Sequence, residues 1–335
     1  MPTAIRAQCR AVGSCLPQQV LDNAMLERMV DTSDEWIRTR TGIRERRMVA
    51  DGEYLSDLAV ASCRQCLQRA GLEAEAVDGI IVATSTGDFS MPAVANVVQH
   101  RLAATRAWGY DLVNACNGFV SGIATASALI EAGRCQRILL VAGDVMTPYI
   151  DFQDRNTCIL FGDGCGAVLL EAGPGDGPGV IDWLMGSDGA GADLLKIPCS
   201  GSAIRPSPAA LDRGDHFLKQ EGRQVYNYAI RHMTESCQQL LQRNGLGIGD
   251  VDLLIPHQAN QRIMTNVAER LQSRPEQLVS NIDRYGNTTA GTIPLAMADA
   301  LDDGRLVAGS RVLVTAFGAG FSWGSVYLTW GGSST

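Results

Sequence analysis

Short, almost unbroken apolar runs recur along the chain, separated by longer stretches in which apolar residues return every three or four positions. GIIVAT (79–84), ILLVAGD (138–144), DLLIP (252–256) and VLVTA (312–316) are runs of the first kind. They suit strands in a sheet covered on both faces. LAVASCRQCLQRAGL (58–72) and the stretch ending in RNGL (243–246) have helical spacing. Each stops at a glycine placed as a C-cap would be.

The pattern occurs twice. RAGLEAEAVDGIIV (69–82) aligns without a gap on RNGLGIGDVDLLIP (243–256), and RILLVAG (137–143) aligns on RVLVTAF (311–317) at the same offset. GCGAVLL (164–170) resembles SWGSVYL (322–328), and a Gly/Asn turn leads into a small-residue helix in both halves. Repeats of this length are too long for a solenoid and fit a duplicated α/β unit. The expected fold is α/β with pseudo-twofold symmetry, in five layers α-β-α-β-α. Its halves span residues 1–173 and 174–335. The Ala/Gly/Ser-rich helices starting near Phe119 and Thr292 pack between the two sheets. The Gly-, Pro- and Ser-rich stretch 173–222 reads as connection and surface loops.

Sites in α/β sheets form beyond the carboxyl ends of strands. Cys116 follows the run DLV, His257 follows DLLIP, and Asn287 lies in the turn after NID, the second-half counterpart of the Cys116 turn. Cys116 reads either as a small buried hydrophobe or as a nucleophile at a helix start, where the helix dipole favours a thiolate. His100, His216 and His232 stand in less suggestive surroundings. FGAGFSWG (317–324) has glycines that let backbone N–H groups reach a bound carbonyl. FGDGCGA (161–167) lacks the Lys-Ser/Thr ending of a phosphate loop and reads as a tight strand start.

Composition narrows the function classes. The formal net charge is −8, which offers no footprint for nucleic acid. No run approaches eighteen apolar residues, and MPTAIRAQCRAVGSC has no apolar signal-peptide centre, so a cytoplasmic protein is expected. Of ten cysteines only Cys63 and Cys66 are spaced C-x-x-C, inside a helical pattern and with no second pair. Scattered cysteines of this kind read as reduced core thiols.

DTSDEWIRTRTGIRERR (31–47), ACNGF (115–119), FGDGCGA, PHQANQRI (256–263), RYGNTTAGTIP (284–294) and FGAGFSWG resemble, in order, the signature blocks of the β-ketoacyl-acyl-carrier-protein synthase III family. The resemblance implies a duplicated thiolase-like fold and a decarboxylative condensation of an acyl-CoA starter with malonyl-acyl-carrier protein. It implies no cofactor, coenzyme A thioester being substrate, and a homodimer with acyl carrier protein as partner. It makes Cys116 the nucleophile and His257 and Asn287 the decarboxylation pair, with the backbone N–H groups of Cys116 and Ala319 as oxyanion hole. Trp36 and Arg155 would flank the coenzyme A adenine, Thr32 and Arg40 would add polar contacts, and Asn260 would touch the pantetheine arm. Met91, Met146, Tyr226 and Phe317 fall at acyl-pocket or tunnel positions, Met91 where some members reach across the dimer interface. Arg231, Arg262 and Arg270 would dock the acidic carrier protein.

The final glycine-rich motif has no second cysteine, unlike thiolases, and Asn287 stands where elongating synthases use histidine. An acyltransferase of the same fold, passing the acyl group to a hydroxyl or amine, is the alternative. A thioester-binding subunit and a papain-type hydrolase fit less well. Housekeeping fatty acids, biotin precursors and natural-product starters all remain compatible with these blocks.

Overall fold

The computed structural model describes residues 5–332. The first sheet contains β1 (Ile5–Cys15), β2 (Gly79–Ala83), β3 (Trp108–Leu112), β4 (Arg137–Asp144) and β5 (Gly164–Pro174), in the order β3-β2-β4-β5-β1. The second contains β6 (Gly179–Ser187), β7 (Leu253–Pro256), β8 (Arg311–Gly318) and β9 (Ser322–Thr329), in the order β7-β8-β9-β6. Each sheet has a parallel pair, β2/β4 or β7/β8, followed by antiparallel partners. A single parallel bridge, Leu254 to Leu278, lies beside β7 where β3 lies beside β2. The two sheets thus share one topology, and the repeat seen in the sequence is a structural one.

Helices α1 (Asp34–Thr41), α2 (Leu55–Ala70), α3 (Val94–Arg101), α4 (Gly118–Glu131), α5 (Gly222–Arg243), α6 (Gln261–Leu271) and α7 (Thr292–Asp302) are the ones that matter for the site. The central apolar core joins Phe119, Ile123 and Ile130 of α4 and Ile293 and Met297 of α7 to strand residues from both sheets. A second core packs α2 and α3 on the first sheet, and a third packs α5 and α6 on the second. This is the α-β-α-β-α order. Cys63 and Cys66 lie fully buried on the inner face of α2. That helix ends at Gly71, whose φ of +66° closes the cap.

One reading of the sequence changes. The stretch 173–222 is not only loop: it holds β6, a full member of the second sheet, and the short paired segments Leu195–Lys196 and Lys219–Gln220. Its alternating burial, with Trp183 and Met185 partly exposed, hides the apolar run that marks the other strands. The boundary at 173/174 falls on the last residue of β5.

Small residues let neighbouring strands of the first sheet come close at their ends. A Cβ on Gly143 would stand 2.5 Å from the Gly164 carbonyl oxygen and 2.7 Å from the Cys165 Cα. Gly143→Ala is expected to destabilise the fold by about 1–3 kcal/mol through overpacking. Gly189→Ala, with nothing within 4 Å of the new Cβ, should stay within about 0.5 kcal/mol of the parent. Urea unfolding followed by fluorescence checks both.

Candidate active site

Cys116 sits on a single 3₁₀ turn, Ala115–Asn117, that runs into α4. Ala115 takes φ +46°, a left-handed conformation costly for a residue with a Cβ. The matching turn before α7, Thr289–Gly291, starts with Thr289 at φ +52°. The duplication therefore extends to the backbone of the two turns, with Ala290 as the counterpart of Cys116.

His257 follows β7, and its backbone N–H donates to the Thr315 carbonyl on β8 at 2.8 Å. Its ring Nδ1 lies 2.7 Å from Thr292 Oγ1, leaving Nε2 as the nitrogen available to a ligand. The backbone of Asn287 is held by the first half: its N–H donates to Leu160 O at 2.8 Å, and its carbonyl accepts from Gly162 N at 3.1 Å. The segment FGDGCGA is thus a clamp on Asn287 as well as a strand start. Asn287 Oδ1 accepts from Thr289 N at 2.9 Å. Its Nδ2 has no partner among the described residues.

Cys116, His257 and Asn287 line one cavity of about 580 Å³. Ala319 and Phe317 of the last glycine-rich loop line it too, with Met146, Tyr226 and Asn260. A Cβ on Gly318 would come within 2.8 Å of Cys116 N and 3.0 Å of Asn117 N. Glycine there lets the loop carrying Ala319 close onto the cysteine turn. The N–H groups of Cys116 and Ala319 have no acceptor among the described residues. They are free to meet a carbonyl oxygen.

The electrostatics differ from the expectation of a helix-stabilised thiolate. Burial pushes the Cys116 thiol up to about 12, and the nearby Asp144 carboxylate adds to the rise. Burial pulls His257 down to about 3. Both groups are therefore neutral at pH 7, because burial penalises either charge. Asp144 is fully buried beside them, its carboxylate accepting from Thr84 Oγ1, Ser85 N, Thr86 Oγ1 and Thr289 Oγ1.

The residues expected to hold the nucleotide cluster outside this cavity. Trp36 lies on α1, capped by Ser33. The guanidinium of Arg155 stands 5.2 Å from the Trp36 ring centre and that of Arg40 5.8 Å. Arg155 also donates to the Asp31 carbonyl at 2.9 Å. Thr32 Oγ1 is buried without a partner. Trp36 packs on the same apolar cluster as Leu195 and Ile197, which line the cavity. Met91 is 82% exposed and does not line the cavity. Arg231 pairs with Glu235 at 3.0 Å, which weakens its case as a docking cation. Arg262 lies over the Tyr226 ring, and Arg262 and Arg270 are exposed and make no ion pair among the described residues.

Several participants gave no recognisable signal in the sequence. Leu195, Lys196, Ile197, Leu218 and Gln220 line the cavity from the stretch read as loop. Arg46 is fully buried with no carboxylate partner among the described residues, donating to Leu21 O, Asn23 Oδ1 and Ile159 O. Desolvation lowers its guanidinium to about 10. Asn23 in turn donates to Asp34 at 2.8 Å, so Arg46 anchors the start of the Trp36 helix. A charged residue inside a quoted motif was the available clue.

Two sheets that duplicate one topology, with a cavity at their strand ends, mark a condensing transferase of thiolase-like fold. The chain belongs to the 3-oxoacyl-[acyl-carrier-protein (ACP)] synthase III family. Residues 110–189 match the family model of that name and residues 241–330 match its C-terminal model. The chain is 45% identical over 331 residues to the β-ketoacyl-[acyl-carrier-protein] synthase III of Koribacter versatilis, covering 98% of this chain and 99% of that one. The crystal structure of 3-oxoacyl-(acyl carrier protein) synthase III from Pseudomonas aeruginosa superposes with TM-score 0.90 at 42% identity, covering 97% of this chain and 98% of that one. The priming β-ketosynthase of the R1128 polyketide pathway superposes with TM-score 0.91 at 31% identity, covering 99% and 98%. No described helix is long and apolar enough to cross a membrane.

The raised thiol predicts the pH response of Cys116. Its alkylation by iodoacetamide should climb about tenfold per pH unit from 7 to 9 without levelling, since only the thiolate reacts. A plateau near pH 7 by intact mass would show a preformed thiolate instead.

Proposed function

We propose that this chain condenses an acyl-CoA starter with malonyl-acyl-carrier protein, through an acyl-Cys116 thioester, giving β-ketoacyl-acyl-carrier protein, coenzyme A and carbon dioxide. The observation that carries this reading is the one cavity shared by Cys116, His257, Asn287 and the free N–H groups of Cys116 and Ala319.

Because thiol and imidazole are both neutral at rest, attack on the acyl-CoA carbonyl is coupled to proton transfer. The sulfur forms its bond to the acyl carbon as its proton passes to His257 Nε2. Collapse of the tetrahedral intermediate breaks the bond to coenzyme A, whose thiolate takes that proton. The N–H groups of Cys116 and Ala319 receive the oxyanion. Malonyl-carrier protein then enters. Its carboxylate leaves as carbon dioxide, and the electron pair moves onto the thioester enolate. Neutral donors from His257 and Asn287 suit that oxygen, and a low-dielectric cavity strengthens both. As base in the first half-reaction Nε2 is free, the ring proton sitting on Nδ1 and donated to Thr292 Oγ1, whose own proton goes to the Thr289 carbonyl. As donor in the second, Nε2 carries the proton, and the Thr292 hydroxyl turns to donate to Nδ1; the ring exchanges its proton with solvent between the two steps. The enolate carbon attacks the acyl-Cys116 carbonyl, and the cysteine sulfur departs and takes a proton from solvent, the one proton each turnover consumes.

The coenzyme A nucleotide lies against Trp36, Arg155, Arg40 and the unpartnered Thr32 hydroxyl, and Asn260 meets the pantetheine arm. Arg155 now rests over Trp36 and swings away to admit a base. The protein acts as a homodimer through the edge of β3, where Phe89, Met91, Trp108, Tyr110 and Val113 are exposed. Val113 also lines the cavity, so a partner seated there brings its Met91 to the acyl pocket beside Met146. A methionine-walled pocket is adaptable and accepts branched or medium chains. Carrier protein docks on Arg262 and Arg270 beside Tyr226.

Incubation with mixed acyl-CoAs and malonyl-carrier protein, read by mass, tests the reading. Acyl-Cys116, a β-ketoacyl-carrier protein and one carbon dioxide per turnover are expected. An acylated hydroxyl or amine without carbon dioxide release identifies acyl transfer instead, and strict use of acetyl-CoA discards the larger pocket. Cys116→Ala should form no acyl-enzyme. Arg262→Glu should raise KM for malonyl-carrier protein about tenfold or more while leaving KM for acyl-CoA within about twofold, an effect that shrinks as salt rises.

A further inference from the structure

Thr289 has a backbone conformation that β-branched residues avoid, φ +52°, and each of its polar groups is committed to a different part of the site. Its N–H donates to Asn287 Oδ1 at 2.9 Å. Its carbonyl accepts from Thr292 Oγ1 at 3.0 Å, the same hydroxyl that meets His257 Nδ1 at 2.7 Å. Its own hydroxyl bonds to Asp144 Oδ2 and also lies 2.8 Å from the Thr288 carbonyl. With one proton to give, the hydroxyl favours the carboxylate, the stronger acceptor.

Asp144 is built to receive it. The residue is fully buried and makes no ion pair among the described residues. Its Oδ1 is occupied by Thr84 Oγ1 at 2.9 Å, Ser85 N at 2.7 Å and Thr86 Oγ1 at 2.8 Å, all at the end of β2. Oδ2 is left to Thr289, which belongs to the other half of the chain. Here a carboxylate fixed by one sheet holds the strained turn that follows the other. The first-half counterpart, Ala115, has no hydroxyl and carries no such tie.

We propose that Thr289, clamped by Asp144, is a positioning residue that aims the Asn287 carboxamide at the enolate oxygen. Fixing Oδ1 of Asn287 on the Thr289 N–H turns Nδ2 toward the cavity. The tie to Thr292, and through it to His257, is made by the Thr289 backbone carbonyl and does not use the hydroxyl. The hydroxyl clamp therefore serves the decarboxylation step, because attack by Cys116 on acyl-CoA needs no donor from Asn287. This inference rests on the role of Asn287 proposed above.

The experiment separates the two half-reactions in the full-length protein. Acylation is followed by intact mass with acyl-CoA alone. Decarboxylation is followed as carbon dioxide released when the pre-acylated enzyme meets malonyl-carrier protein. Thr289→Val keeps shape and branching but loses the hydroxyl. It should slow carbon dioxide release by about tenfold to a hundredfold, the range expected when a reacting group is displaced by about an ångström. Acylation should stay within about twofold of the parent, and KM for malonyl-carrier protein should not rise. Thr289→Ser should restore most of the decarboxylation rate. Parental decarboxylation by Thr289→Val, or equal loss of both half-reactions, would overturn the proposal. Asn287→Ala is measured in parallel and should lose about a hundredfold or more in carbon dioxide release. If it decarboxylates at the parental rate, the role given to Asn287 fails, and Thr289 fails with it. If only Thr289→Val behaves as the parent, the positioning role alone is wrong.

Discussion

Close approach of two small-residue helices between two sheets is the constraint on which the site depends. A Cβ on Gly118 would meet the Ala83 Cβ at 3.1 Å and the Ala290 Cβ at 3.4 Å. A Cβ on Gly291 would stand 2.8 Å from the Gly164 carbonyl oxygen. Interiors packed to this density leave no room for a methylene more. The turns that start α4 and α7 are therefore pressed together at the centre of the molecule. Cys116 comes from one of them, and Asn287 lies just before the other. Two neighbouring strand ends of the second sheet add His257 and Ala319, so groups far apart in sequence share one cavity.

That packing also sets the chemistry. A site formed between sheets is buried, and burial raises an acid such as the Cys116 thiol while lowering a base such as His257. The donors available to an enolate are then neutral hydrogen bonds, strengthened by the low dielectric of their surroundings. The buried charges are satisfied by hydrogen bonds instead of ion pairs: Asp144, at the cavity wall, accepts from four donors, and Arg46 donates to carbonyl and amide oxygens beneath the Trp36 helix.

The connection between the halves has a larger part than a linker. It supplies the edge strand β6 and then runs back across the mouth of the cavity, where Leu195, Ile197 and Leu218 pack on the cluster that also holds Ile37 and Met146. Trp36 on its helix and Met146 at the cavity are thus two faces of one apolar cluster. A change on one face is mechanically close to the other.

The sequence alone was enough for the duplication, the layer order and the three side chains that share the cavity. Those features are local or periodic: an apolar run, a glycine stop and a motif each survive in one dimension. Cys116 and His257 were legible because chemistry-bearing residues stood where apolar strands ended. Asn287 follows a short helix, Ile282–Tyr285, and not the strand expected at NID, so its turn and motif were the clue. Only the tertiary structure decided the protonation of Cys116, since a helix start suggests a thiolate while burial from every side outweighs it. It alone showed that stretch 173–222 lines the cavity, because an edge strand with one wet face lacks the unbroken apolar signature. The same holds for Asp144 and Thr289. They are separated along the chain and unremarkable by type, and their meaning lies in a hydrogen bond that exists only once the two halves have packed together.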